Sequence, residues 1–179
     1  CAGQQWPAVH RVFTGSGKRV MNAVIDKKKI SILGGTGFVG RALCKRLLQD
    51  GHDVSVITRG SSPRIGNDLA AVNLKVLTSS ASSDREAVLA GQDVLVNLSG
   101  ILHESRRQSF HDVHVEWPSS WTLAAHKAGL SQVLHMSALR ADMENPPSAY
   151  LRSKAAGERA VIDHASGMTI QIFRPSIIF

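Results

Sequence analysis

ISILGGTGFVGRALCKRLLQD, residues 30–50, decides the fold. Ile30 to Leu33 make a short apolar run, the pattern of a strand buried in a parallel sheet. Gly34, Gly35, Thr36, Gly37, Phe38, Val39 and Gly40 follow directly. Beyond them Val39, Leu43, Leu47 and Leu48 recur at helical spacing, and Gly51 supplies a stop. A Gly-x-x-Gly-x-x-Gly spacing alone marks only a tight turn. Placed between a strand and a helix, it is the arrangement that seats a diphosphate on a helix N-terminus. Gly34 then permits the turn, Gly37 lets a pyrophosphate approach the backbone, and Gly40 lets the helix pack closely.

The same alternation continues outward. Strands are expected at 53–58 (DVSVIT), 73–78 (NLKVLT), 93–100 (DVLVNLSG), 131–137 (SQVLHMS) and 168–174 (MTIQIFR). Helices are expected at 84–91, at 119–128 with Pro118 at the start, and at 149–165; residues 101–116 read as irregular or helical. Short strands alternating with helices predict an α/β fold: a Rossmann-type doubly wound parallel sheet with helices on both faces. That domain is expected to occupy residues 30–179 and to be C-terminally incomplete, because SIIF (176–179) is apolar and sits just past a strand with no closing helix. Cysteine in place of methionine at residue 1 suggests a processed or trimmed product.

A chain of 179 residues, 43% hydrophobic, supports one domain with a real core. No apolar run reaches the roughly 18 residues of a membrane span. The formal charge of +7 is uneven. Residues 1–29 carry Arg11, Lys18, Arg19, Lys27, Lys28 and Lys29 against Asp26 alone, whereas the remainder has 15 basic and 13 acidic side chains. This basic N-terminal arm suits anionic lipid, an acidic protein surface or nucleic acid, or else is a solvated tail. No aromatic–basic interleaving supports a nucleic-acid role, so no nucleic-acid partner is expected. Cys1 and Cys44 have no metal-ligand spacing, and Cys44 falls in the core of its helix. His111 and His114 are three residues apart with no third ligand evident, so no metal is expected.

The second strand ends at Thr58-Arg59, where an NAD site offers Asp or Glu to the ribose 2′-hydroxyl. Arg59 instead suits the 2′-phosphate of NADP(H), with Arg64 or Arg41 as helpers. The alternative is an arginine that merely faces solvent.

GGTGFVG, DVLVNLSG at 93–100, Tyr150-Leu-Arg-Ser-Lys154 and FRPSIIF at 173–179 together resemble the extended and atypical short-chain dehydrogenase/reductase family, over residues 30–179. The resemblance implies that Tyr150 donates or accepts a proton, and that Lys154 binds the nicotinamide ribose and lowers the tyrosine pKa. It also implies cofactor contacts from Leu98, Ser99 and Gly100 after the fourth strand, beside Asn97, and from Ser137, Pro175 and Ser176. Helical i,i+4 spacing agrees, since it places Tyr150 and Lys154 on one face. There are three departures. The position usually held by a catalytic serine or threonine is Leu139. His114 and Trp117 replace an asparagine and a glycine, a change expected to disturb the helix beside the pocket. Ser79-Ser80 stand where many relatives place an aspartate.

SALRADMENPPSAYLRSKAAGERAV, residues 137–161, is more narrowly similar to the nucleotide-binding accessory subunits of mitochondrial respiratory complex I. This implies bound NADPH without catalysis of its own, a heteromeric assembly with other complex I subunits, and a peripheral place on the matrix side of the inner membrane. The alternative is a free NADP-dependent oxidoreductase or nucleotide-sugar epimerase.

Overall fold

The computed structural model describes residues 26–59, 69–77, 81–176 and 178. Most of the basic arm, Arg64 and Ser79-Ser80 lie outside them. Strand β1 (Lys29–Leu33) leads through the glycine turn into α1 (Phe38–Gln49), and β2 (Asp53–Arg59) follows. Next come β3 (Asn73–Leu77), α2 (Ser82–Leu89) and β4 (Val94–Asn97). A π-turn (Asp112–Glu116) runs into α3 (Trp117–Lys127), then β5 (Gln132–Met136), α4 (Ala149–Asp163) and β6 (Thr169–Phe173). The strands form one sheet in the order β3-β2-β1-β4-β5-β6, every neighbouring pair parallel. The expected α/β fold is therefore present. The chain builds leftward from β1 to β3 and then returns to build rightward from β4. The connections leaving the C-terminal ends of β1 and β4 consequently run in opposite directions, which is where such sheets open a crevice.

β1 shows why its sequence is nearly all apolar. Ile32 lies between Val56 and Val96, and strand residues alternate between two buried faces. Ile30, Ile32, Val54 and Val56 pack with Cys44 of α1 on one face. Leu33, Ile57 and Leu95 pack with Leu89, Trp121 and Val161 of α2, α3 and α4 on the other. Within α1 the fully buried positions are Gly40 and Cys44, while Leu43, Leu47 and Leu48 are only partly covered. Burial pushes the Cys44 thiol up to about 11, so it is a core side chain.

Pro118 stands in the first turn of α3, as the sequence suggested, but α3 is not a fresh start. Helical backbone runs from Phe110 to Lys127. Proline has no N–H to give the carbonyl of His114, four residues back, and its ring crowds that carbonyl. The chain widens just ahead of it into the π-turn, in which the Trp117 N–H reaches the Asp112 carbonyl. The His114 carbonyl faces α4 at Gly157, where a Cβ would fall 2.0 Å from its oxygen. A missing N–H on one helix and a missing Cβ on the other thus let the two elements approach. α4 itself is started by Ser148, whose hydroxyl accepts the Leu151 N–H at 3.1 Å.

Candidate functional site

The turn after β1 is shaped for a close visitor. Gly34 has φ +77°, and a Cβ there would lie 2.9 Å from the carbonyl carbon of Leu98. Turn and post-β4 segment therefore touch backbone to backbone. Gly40 supports the helix start, since its Cβ would sit 2.3 Å from the Gly34 oxygen. Gly35 is turned the other way, against the Val56 side chain, where a Cβ would lie 2.6 Å from a methyl carbon. Gly37 caps α1 without a side-chain bond, and a Cβ on it would meet only the Gly34 oxygen, at 3.3 Å. The first-turn N–H groups of α1 have no intrahelical acceptors, and together with the helix dipole they attract an anion.

Two cavities meet at this turn and share Ser99. The first, about 490 Å³, lies over the ends of β1 and β2 and includes Gly34, Thr36, Thr58 and Arg59. Arg59 is exposed, with its guanidinium over the Trp117 ring at 4.8 Å from the centroid. Arg41, an expected helper, does not line this cavity; Arg85 of α2 and Arg107 do. Thr58 Oγ1 and Arg85 Nε are buried here without hydrogen-bond partners. Buried polar atoms of this kind ordinarily find a partner, and here they fit a polar ligand.

The second cavity, about 720 Å³, gathers Phe38, Val39, Leu98, Gly100, Ser137, Leu139, Tyr150, Lys154, Pro175 and Ser176 around one space. Two backbone bonds brace its far wall: Ser137 N–H donates to Phe173 O at 2.7 Å, and Leu139 N–H to Pro175 O at 2.8 Å. Leu139 is 53% exposed. Its position presents an apolar side chain where a hydroxyl is usual.

Lys154 is 4% exposed and donates from Nζ to the Met136 carbonyl at 2.6 Å. Burial holds its pKa down at about 8, against an opposing pull from Glu158. Tyr150 departs from expectation: burial raises its phenol, and no lowering by Lys154 accompanies it. The ammonium is directed at a backbone carbonyl instead. Below pH 8 the folded state bears the cost of a buried charge, and this cost fades as pH rises from about 8 toward 10.5. Lys154→Met is expected to be more stable than the parent at pH 7, with the difference shrinking across that window. Urea midpoints measured from pH 7 to 10.5 check this; a constant difference would contradict it.

Two polar groups below the cavity, Glu158 and Arg174, gave no signal in the sequence reading. Glu158, one turn beyond Lys154, receives a forked pair from Arg174 at 2.8 and 2.7 Å. Burial would raise its carboxyl, but the Arg174 guanidinium outweighs that and holds it below the usual range. Asn97 donates to His135 Nδ1 at 3.1 Å and accepts the Ser99 N–H at 3.1 Å, which fixes the segment leaving β4. Burial holds His135 neutral, its pKa down at about 3. His114 lies within the π-turn and is buried, with both ring nitrogens in hydrogen-bond contact. His111 instead pairs with Glu116 on the surface at 3.0 Å.

Strand order, the open helix start and two cavities joined at the switch point define a dinucleotide-binding domain of the doubly wound type. The chain belongs to the NAD dependent epimerase/dehydratase family, whose model matches residues 30–179. Among curated proteins it is 34% identical to the mitochondrial NADH dehydrogenase [ubiquinone] 1 alpha subcomplex subunit 9 of Arabidopsis thaliana, over 78% of this chain and 36% of that protein. It is 31% identical to the ceramide reductase of Caulobacter vibrioides, over 84% of this chain and 46% of that one. The chain thus spans between about a third and a half of these relatives' lengths. A solved structure, the UDP-glucuronic acid 4-epimerase of Bacillus cereus in complex with NAD, superposes with a TM-score of 0.68 at 19% identity, covering 84% of this chain and 57% of that one. That likeness concerns the fold.

Proposed function

We propose that this chain is the NADPH-holding domain of an accessory subunit of mitochondrial NADH:ubiquinone oxidoreductase, complex I, and that it binds the nucleotide for structure rather than turnover. The observation that carries this reading is the make-up of the second cavity. Tyr150 and Lys154 stand ready to contact nicotinamide and ribose, while Leu139 occupies the place of the second proton donor. Losing one well-aimed donor costs a working site about 3–4 kcal/mol of transition-state stabilisation. The similarity to subunit 9 of the plant enzyme supports the same assignment.

In this reading the first-turn N–H groups of α1, at Phe38, Val39 and Gly40, take the pyrophosphate, with Gly34, Thr36 and Gly37 shaping its path. Ser99 and Gly100 pass alongside, and Ser137, Pro175 and Ser176 wall the nicotinamide end. When bound, the nicotinamide ring supplies hydride chemistry; the chain's own residues hold and orient it. Residues 30–179 are the binding domain and residues 1–29 the arm, which contacts other subunits of the heteromeric assembly. The protein then sits peripherally on the matrix side of the inner membrane. Among the described residues no helix is long and apolar enough to cross a membrane.

Arg59 is the expected discriminator between cofactors. A guanidinium–phosphate pair is charge-assisted and bidentate. Arg59→Ala should weaken NADPH binding by roughly ten- to a hundredfold and NADH binding far less. Calorimetry with each nucleotide checks this, and equal losses would make Arg59 a solvent-facing residue.

The function is tested by native electrophoresis of membranes holding the full-length protein, with immunodetection. Comigration with NADH:quinone activity is expected, and Tyr150→Phe should leave both assembly and activity nearly intact. The second reading, a free oxidoreductase or epimerase, is favoured by Tyr150 and Lys154 sharing one cavity. A free species that turns over NADPH, and loses that turnover in Tyr150→Phe, would establish it.

A further inference from the structure

His114 does not line the second cavity, yet it touches two of its walls. It is 1% exposed. The Ile101 N–H donates to its Nε2 at 3.1 Å, so Nε2 is an acceptor and the ring proton sits on Nδ1. Nδ1 lies 2.8 Å from the Ser153 hydroxyl. That hydroxyl lies 2.7 Å from the Tyr150 carbonyl oxygen, which can only accept. The direction of every bond is therefore fixed: Ile101 N–H to Nε2, Nδ1–H to Ser153 Oγ, and Ser153 O–H to Tyr150 O. The ring also meets the Tyr150 ring edge-on, with centroids 5.5 Å apart, and stacks on Phe110 at 5.4 Å.

The walls so joined come from distant parts of the chain. Ile101 belongs to the segment leaving β4, and Tyr150 to the first turn of α4; both face the second cavity. The π-turn places the His114 ring between them, and the Gly157 contact holds its carbonyl against α4. Burial, and then the nearby Lys154 ammonium, hold its pKa down at about 4. The ring is thus neutral at ordinary pH, able to accept on one side and donate on the other.

We propose that His114 is a positioning residue which, in its Nδ1–H form, sets the distance between the Gly100–Ile101 segment and Tyr150, and so the shape of the cavity for the nicotinamide half of the dinucleotide. The proposal rests on the dinucleotide reading given above.

The test compares two probes on the full chain by calorimetry. NADPH fills both cavities, whereas 2′,5′-ADP reaches only the first. His114→Leu should weaken NADPH about tenfold and leave 2′,5′-ADP unchanged. His114→Gln keeps one acceptor and one donor and should recover part of the loss. Equal losses for both probes would show that His114 only supports the fold, and no loss for either would overturn the proposal as well. Nitrogen-15 NMR of the unmutated protein decides the matter even if the variants do not fold. An Nδ1–H tautomer with no titration between pH 5 and 9 is expected, and an Nε2–H tautomer or a midpoint near 6.5 would overturn it. Failure of the unmutated chain to bind either probe would count against the dinucleotide reading, and the tautomer would still decide the strut.

Discussion

Gly157→Ala should destabilise the protein by about 3 kcal/mol or more, at the top of the range for overpacking. One added methyl would lie 2.0 Å from the His114 oxygen and 3.1 Å from its carbonyl carbon. Neither atom belongs to a flexible side chain that can swing aside. Relief requires α4 to move away from the π-turn, which breaks the His114–Ser153 bond and shifts Tyr150 and Lys154 together. Alanine is otherwise the better helix former, by about 1 kcal/mol over glycine. Local propensity and packing therefore predict opposite signs, and chemical denaturation followed by circular dichroism decides between them. A more stable variant would mean that the two helices yield at no cost.

Gly37→Val should have the opposite profile, with the fold kept and the nucleotide lost. Gly37 has φ −75° and ψ 177°, extended backbone that valine adopts readily. A Cβ there meets only the Gly34 oxygen, at 3.3 Å. The branched side chain would instead project where the pyrophosphate approaches. The expected loss of NADPH affinity is a hundredfold or more, about 3 kcal/mol, with a melting temperature near that of the parent when no nucleotide is present. Unchanged affinity by calorimetry would remove the glycine turn from the site.

The fold was legible because its decisive signals are local. The β1 run is mostly apolar because both of its faces are buried, and the glycine turn follows it without interruption. Gly51, Gly91 and Gly129, all with positive φ, stand just past α1, α2 and α3 as the sequence suggested. Pro118 marked the start of α3, but only the structure shows the π-turn that joins this helix to the helical backbone before it. Tyr150 and Lys154 were picked out by the family resemblance, with i,i+4 spacing in agreement, but the direction of the tyrosine's shift was not legible. Spacing cannot say whether Lys154 points at a phenol or at the Met136 carbonyl. Arg85 and Arg107 were missed for a related reason. They come from α2 and a loop, and only the return of the chain across the sheet brings them to the end of β2.

That return also governs the order in which the binding turn is made. Gly34 rests on Leu98 and Ser99, so the turn stays half-built until β4 has threaded in beside β1. Such non-local pairings form slowly during folding, after the β1–α1–β2 unit can already be in place. A nucleotide that needs both segments has little to hold in the early chain. Its effect should therefore fall on the rate of unfolding, which it slows, and hardly on the rate of refolding. On the function proposed above, the nucleotide is then a lock on the finished domain and not a template for building it.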